Sequence, residues 1–291
     1  MGLVKNIKAY SEGIQISDEK RDMLTSFLSN GFPTTKDEEW KYTSLKKVIA
    51  NEYSIENKGT IIDSSVIDKY SLGLVNKIIF SDGKLITTPT IKGVSINGFS
   101  EFEITSNDRI LQLNKALSQN GFTISVDKNT VLKNPIEILF FSTTVNGFSQ
   151  YRNQISIGEN SEVKFIERLQ NLNNSASLVN HFTQINCAKN TKVEYNKIQD
   201  NTAESQLIDT VNVFQEQDST CNINTLIFGG SFIRNNLNFE QNGSNCESNM
   251  NGVSILNNNQ LADNHTFVDH KSAHCRSNEM YKGVYLGHSK G

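Results

Sequence analysis

The sequence predicts a mainly β protein: a β-solenoid core preceded by a small region of mixed helix and strand. Three observations predict it. Pairs of short strands recur at intervals of roughly 30 residues, the kind of period at which solenoid coils stack. The last of three prolines is Pro135, so residues 136–291 contain none, and proline is the residue that breaks hydrogen-bonded ladders. Of 37 asparagines, 24 fall between residues 151 and 264, and asparagine tolerates the left-handed backbone of tight turns.

The organisation divides into residues 1–121, an N-terminal α+β and helical region, and residues 122–291, the β core. In the first part a helix is expected over Asp18 to Asn30. Ser17 can cap it, Asp18 and Glu19 suit its positive end, Gly31 stops it, and Met23, Leu24, Phe27 and Leu28 form its apolar face. The polar segment Gly31 to Thr43 follows and carries the single tryptophan, Trp40. Lys77 to Ile86 reads as a hairpin around Asp82-Gly83, a dipeptide favoured in tight primed turns. Asn107 or Asp108 is placed to cap a second helix through Leu111, Leu113 and Leu117, closing near Gly121.

From Phe122 onward the signal is strand. Ile136 to Thr144 is a continuous apolar run, which points to burial on both faces. Ile155 and Ile157, then Val163 and Phe165 beyond the turn Gly158-Glu159-Asn160, recur as Ile185 and Cys187, then Val193 and Tyr195. Looser copies follow at Val211, Val213, Cys221 and Ile223, and at Leu237, Phe239 and Cys246. A meandering antiparallel sandwich would give similar strands and is the competing architecture. Gly229-Gly230 marks a turn or bulge.

Composition excludes several functions. Net charge is −3, which removes the default electrostatic case for nucleic acid. No apolar run approaches the ~18 residues of a membrane helix. Met1 to Tyr10 has lysines without an apolar core, so neither a signal peptide nor membrane association is expected. The cysteines Cys187, Cys221, Cys246 and Cys275 contain no CxxC pair, in keeping with reduced thiols and a cytoplasmic location. The sequence holds no GxxxxGK[ST] loop and no GxSxG or HExxH motif, so no ATP binding is expected of this chain by itself.

Chemistry-bearing side chains concentrate near the end. Asp263, His265, Asp269, His270, His274 and Cys275 fall within 13 residues, a donor set that suits iron or zinc. On an extended strand His270 and His274 would share a face and Cys275 would oppose them, so convergence needs a bend. The bland alternative is a polar strand end. Cys187, Cys221 and Cys246 sit at alternating apolar positions and read as core thiols. Lys282-Gly283 reads as a strand-to-turn transition.

Gly31 to Leu45 (GFPTTKDEEWKYTSL), Ser81-Asp82-Gly83, Phe228-Gly229-Gly230 with Arg234-Asn235, and Val268 to Val284 (VDHKSAHCRSNEMYKGV) together resemble the SufB/SufD family of the Suf iron–sulfur cluster assembly system. The Trp-Lys-Tyr-Thr element is similar to the SufD-like branch. The resemblance implies a right-handed parallel β-helix core and a scaffold role without catalysis. It implies a SufB-like partner bound through the β-helix cores, with self-pairing open to the subunit in isolation, and a SufC-like ATPase. Iron or a transient Fe–S cluster would form at the SufB–SufD interface. His270 and Cys275 match the His-x4-Cys spacing of the late core motif and are the candidate interface or metal-proximal residues. The resemblance also implies that family members continue past the position of Gly291, through a Cys-Ser-His-Gly segment and helices that dock SufC, so the chain reads as C-terminally truncated. Competing readings are a secreted-type β-helix polysaccharide lyase or hydrolase and a purely structural solenoid.

Overall fold

The computed structural model describes residues 2–55, 60–102 and 108–291. Its N-terminal part opens with helix α1 (Gly2–Glu12), which the sequence pattern does not mark. Leu3 and Ile7, one helical turn apart, are both fully buried, and two apolar positions are too few to set a periodicity by themselves. Gly2 is held so closely that a Cβ would lie 2.6 Å from the Asn51 carbonyl. Helix α2 (Asp18–Asn30) has the expected ends: Ser17 Oγ accepts from the Lys20 amide and Gly31 turns out of the helix at φ 68°. A single 3-10 turn, Glu38–Trp40, buries Trp40, and two short helices follow, α3 (Lys46–Ala50) and α4 (Ser64–Tyr70).

The chain then forms β1 (Asn76–Ser81), β2 (Lys84–Thr87) and β3 (Val94–Gly98). β1 and β2 make the expected hairpin around Asp82-Gly83, with both turn residues at positive φ. Helix α5 (Arg109–Leu117) begins at Asp108, whose carboxylate accepts from the amides of Ile110 and Leu111. Asn107, the other expected cap, lies outside the described residues.

Twelve further strands complete the core. They are β4 (Phe122–Val126), β5 (Ile136–Ser142), β6 (Phe148–Ile157), β7 (Glu162–Asn171), β8 (Ser177–Cys187), β9 (Lys192–Gln199), β10 (Ser205–Gln215), β11 (Thr220–Ile227), β12 (Phe232–Gln241), β13 (Glu247–Leu256), β14 (Leu261–His270) and β15 (Arg276–Tyr285). They form two sheets, β2-β1-β5-β7-β9-β11-β13-β15 and β3-β4-β6-β8-β10-β12-β14. From β4 onward odd strands lie in one and even strands in the other, so each coil gives one strand to each wall. Among the described strands every pairing between coils is parallel, including β1 with β5, and the β1–β2 and β3–β4 pairs are antiparallel. The fold is a parallel β-solenoid of about 6 turns, not an antiparallel sandwich.

The repeats read from the sequence are vertical stacks in this solenoid. Ile155, Ile185, Val213 and Phe239 lie directly over one another, as do Val163, Val193 and Cys221. Cys187, Cys221 and Cys246 are buried thiols. Asn129, Asn160, Asn190, Asp218, Asn245 and His274 hold positive φ at turns, and Asn190 Nδ2 donates to Asn160 Oδ1 at 2.9 Å. Asparagines also run along strand faces: Asn278 donates to Asn249 and Asn249 to Asn222, at 2.9 and 2.7 Å. Such side-chain ladders join neighbouring coils in the way backbone ladders do. β15 passes straight through Lys282-Gly283, so the expected transition lies further on, at Leu286-Gly287.

The helices cover the outside. α1, α2, α3 and α5 share an apolar cluster with Phe148, Leu178, Ile208 and Phe232, outward residues near the starts of four even strands. α4 packs toward Ile79, Leu139 and Phe141, which explains why every residue of β5 is buried. Trp40 anchors its turn to β12, where the Arg234 guanidinium sits 4.7 Å from the indole centre.

Candidate functional site

The solenoid places His270 and Cys275 on either side of one turn. His270 ends β14, in the column Ile157, Cys187, Gln215, Gln241, His270, whose other members are buried. Its Nε2 lies 3.1 Å from Ser277 Oγ. The coil above repeats the arrangement, with Gln241 Nε2 donating to Ser248 Oγ at 2.8 Å. Cys275 follows Cys246 in a second column, and both thiols donate to the Gly243 carbonyl, at 3.3 and 3.1 Å. Lys271 to His274 supply the bend that an extended strand lacks, with His274 at φ 62° in the position that asparagine fills in earlier coils. Each of the two candidates is held by its own partner. His265 instead pairs with Glu39 at 2.6 Å, and Asp263 pairs with Arg234 and accepts from Thr43, so these two tie the N-terminal region to the core.

A second constellation lies inside the solenoid. One wall carries the column Tyr151, His181, Asp209, Asn235, Asn264, and the other carries Glu167, Lys197, Thr225. Among the described residues, Glu167, His181 and Asp209 are the one group of three potential metal ligands whose donor atoms converge, all within 4.8 Å of one another. All three side chains are fully buried. His181 Nδ1 is 3.3 Å from Asp209 Oδ1, and its Nε2 is 2.8 Å from Asn153 Nδ2 and 3.6 Å from Glu167 Oε2. Tyr195 donates to Glu167 Oε2 at 2.6 Å, Lys197 pairs with Asp209, and Gln199 donates to the same carboxylate at 3.2 Å. Glu167 Oε1 has no hydrogen-bond partner.

The electrostatics follow from burial and close charge. For Asp209 burial pushes the carboxyl up, but the Lys197 ammonium and His181 outweigh it and bring it down to about 2. Burial pushes His181 down, whereas the charge of Glu167 and the bond to Asp209 leave it above the usual imidazole value. Tyr195 is pushed well up, by burial and then by Glu167.

Sequence reading missed this group because Glu167, His181 and Asp209 are far apart in the chain and match no motif. The signal lay in the period-two pattern. Glu167 falls between inward Phe165 and Leu169, and Asp209 between inward Leu207 and Val211. A charged residue in an inward register needs a partner across the core.

The His and carboxylate donors inside the solenoid, and the thiols in its columns, are side-chain types that suit transition-metal ions. Residues 140–291 match the family described as SUF system FeS cluster assembly, SufBD core domain, and residues 5–76 match the SufBD protein N-terminal region. The chain belongs to this SufBD family, and within it is SufD-like. It is 24% identical over 292 residues to the iron-sulfur cluster assembly protein SufD of Escherichia coli (strain K12), an alignment spanning 94% of this chain and 67% of that protein. The Trp40 segment falls within the N-terminal match and His270 and Cys275 within the core match.

Proposed function

We propose that the chain acts as the non-ATPase, non-catalytic scaffold subunit of a cytoplasmic SufB–SufC–SufD complex, pairing with a SufB-like subunit through its solenoid and engaging a SufC-like ATPase. The observation that carries this reading is the order of the two family matches, N-terminal region then core, on a chain related to SufD along nearly its whole length. Iron and the nascent cluster are cargo in this reading. We keep the division at residues 121 and 122 as the boundary between the helical region and the core, with β1 to β3 reaching across it to begin the two sheets.

His270 and Cys275 are the proposed interface or cluster-proximal residues. Their support is the late core motif and the geometry of the shared turn: a half-buried thiol beside a second thiol, and an exposed imidazole. The test is co-expression of the chain with SufB-like and SufC-like proteins. A stable complex that assembles Fe–S clusters is expected, and assembly should fall in Cys275→Ser and His270→Ala while the complex still forms. A chain that stays apart from both partners would sink the scaffold reading. Full assembly activity in both variants would make the two residues structural.

A further inference from the structure

Two carboxylates, Glu167 and Asp209, face each other across the solenoid interior with one ammonium, Lys197, between the walls. Buried charge is tolerated where it is matched, and one full-time cation leaves two carboxylates mismatched whenever the His181 imidazole is neutral, the form that ligates metal. The mismatch is local: Lys197 contacts Asp209, while Glu167 accepts only the Tyr195 hydroxyl and keeps a fully buried oxygen without a partner. The imidazole of His181 lies against both carboxylates, at 3.3 and 3.6 Å.

We propose that Glu167, His181 and Asp209 form an interior binding site for one divalent first-row transition-metal ion. Two carboxylate oxygens and an imidazole nitrogen are borderline donors that suit Fe(II), Mn(II), Co(II) or Zn(II) better than the harder alkaline-earth ions. Tyr195, bonded to Glu167, and Gln199, bonded to Asp209, supply the outer hydrogen bonds that orient metal ligands. Lys197 is the built-in competitor. A divalent ion on two carboxylates is already neutral, so the Lys197 ammonium beside Asp209 leaves one excess positive charge unless it withdraws. The native site therefore binds reversibly, and removing the lysine charge tightens it.

This site is separate from the turn that carries His270 and Cys275, and its test needs no partner subunit. The full chain, stripped with chelator under anaerobic conditions, is titrated with cobalt(II) alone. The expected result is one equivalent per chain with visible d–d bands and no sulfur-to-cobalt charge-transfer band, since no thiol belongs to the set. Glu167→Gln and His181→Asn should each weaken binding at least about tenfold, with folding checked by circular dichroism. Lys197→Met keeps all three ligands and should bind more tightly than the native chain. His288→Ala, at an exposed histidine outside both sites, should leave the bound equivalent unchanged. Absence of a stoichiometric equivalent would overturn the proposal, as would binding that ignores Glu167 and His181. So would cobalt taken up by Lys197→Met alone, because the ammonium would then exclude the ion from the native protein.

Discussion

Arg234 of β12 stacks its guanidinium on the indole of Trp40, 4.7 Å from the ring centre, and donates from Nη2 to the Glu39 carbonyl at 2.7 Å. One side chain thereby reads both the ring and the backbone of the N-terminal turn. Its other nitrogens reach Asn236 and Asp263, so the turn is fixed to two neighbouring coils.

A lysine cannot reproduce this fork, because it offers a point charge in place of a planar donor set. Arg234→Lys should cost about 1–2 kcal/mol, the scale of a desolvated cation–π contact with its hydrogen bonds. A double-mutant cycle with Trp40→Phe, read by denaturant unfolding, should give a coupling of at least ~0.5 kcal/mol. Additive single effects would refute the contact as an energetic unit.

Asp37 begins the same turn. Its carboxylate accepts from the Thr34 amide at 2.6 Å and pairs with Arg109 of α5. These contacts hold its pKa below the ordinary 3.8, the Thr34 backbone bond being the largest cause. A depressed carboxyl value stabilises the fold above the ordinary pKa, and that contribution is lost as pH falls through the folded value. Fluorescence of the single tryptophan should therefore report loosening of the turn on acidification below 3.8. Asp37→Asn should loosen it already at neutral pH and flatten the acid response. An unchanged acid response in that variant would count against this assignment.

The turn asparagines give a local test. Asn160 sits at φ 58° and donates to Asn129 Oδ1 at 3.1 Å. Asn160→Ala should lower stability by roughly 1–2 kcal/mol, the cost of left-handed backbone for a residue with a Cβ and no amide to bond locally. Asn160→Gly should recover most of that loss in the urea midpoint, since glycine accepts the conformation. Equal losses in both would assign the effect to the amide ladder alone.

Thiol accessibility separates the cysteines. Cys187, Cys221 and Cys246 are buried and Cys275 is partly exposed; burial also pushes the Cys246 thiol above its usual pKa. Brief maleimide treatment of the native chain should modify Cys275 alone, and all four should react after denaturation. Peptide mass spectrometry distinguishes the two patterns. Rapid native labelling of Cys187 or Cys221 would contradict the packing of the core columns.

The legible parts were those governed by neighbours in the chain. Ser17, Gly31, Asp108 and the Asp82-Gly83 hairpin appeared where local capping and turn chemistry put them. The stacked columns of Ile155 and Val163 followed from period-two apolar spacing. Helix α1 was missed because its burial rests on two residues and on docking beside α3. The abundance of asparagine was read as turn chemistry, and only the stacking of coils showed that Asn222, Asn249 and Asn278 form a ladder within a strand face.

The sequence by itself determined a proline-free, repeated β core, its helical preface, and a late cluster of His and Cys. Those features depend on backbone preference and on the alternation of apolar side chains, which act over a few residues. The tertiary structure decided that the coils run parallel, that Trp40 is seated under Arg234, and that Glu167, His181 and Asp209 meet inside. These depend on register, because residues roughly 30 positions apart become neighbours only when one coil is laid on the next. Asp209 comes under His181 through that stacking, and Glu167 faces them from the opposite wall.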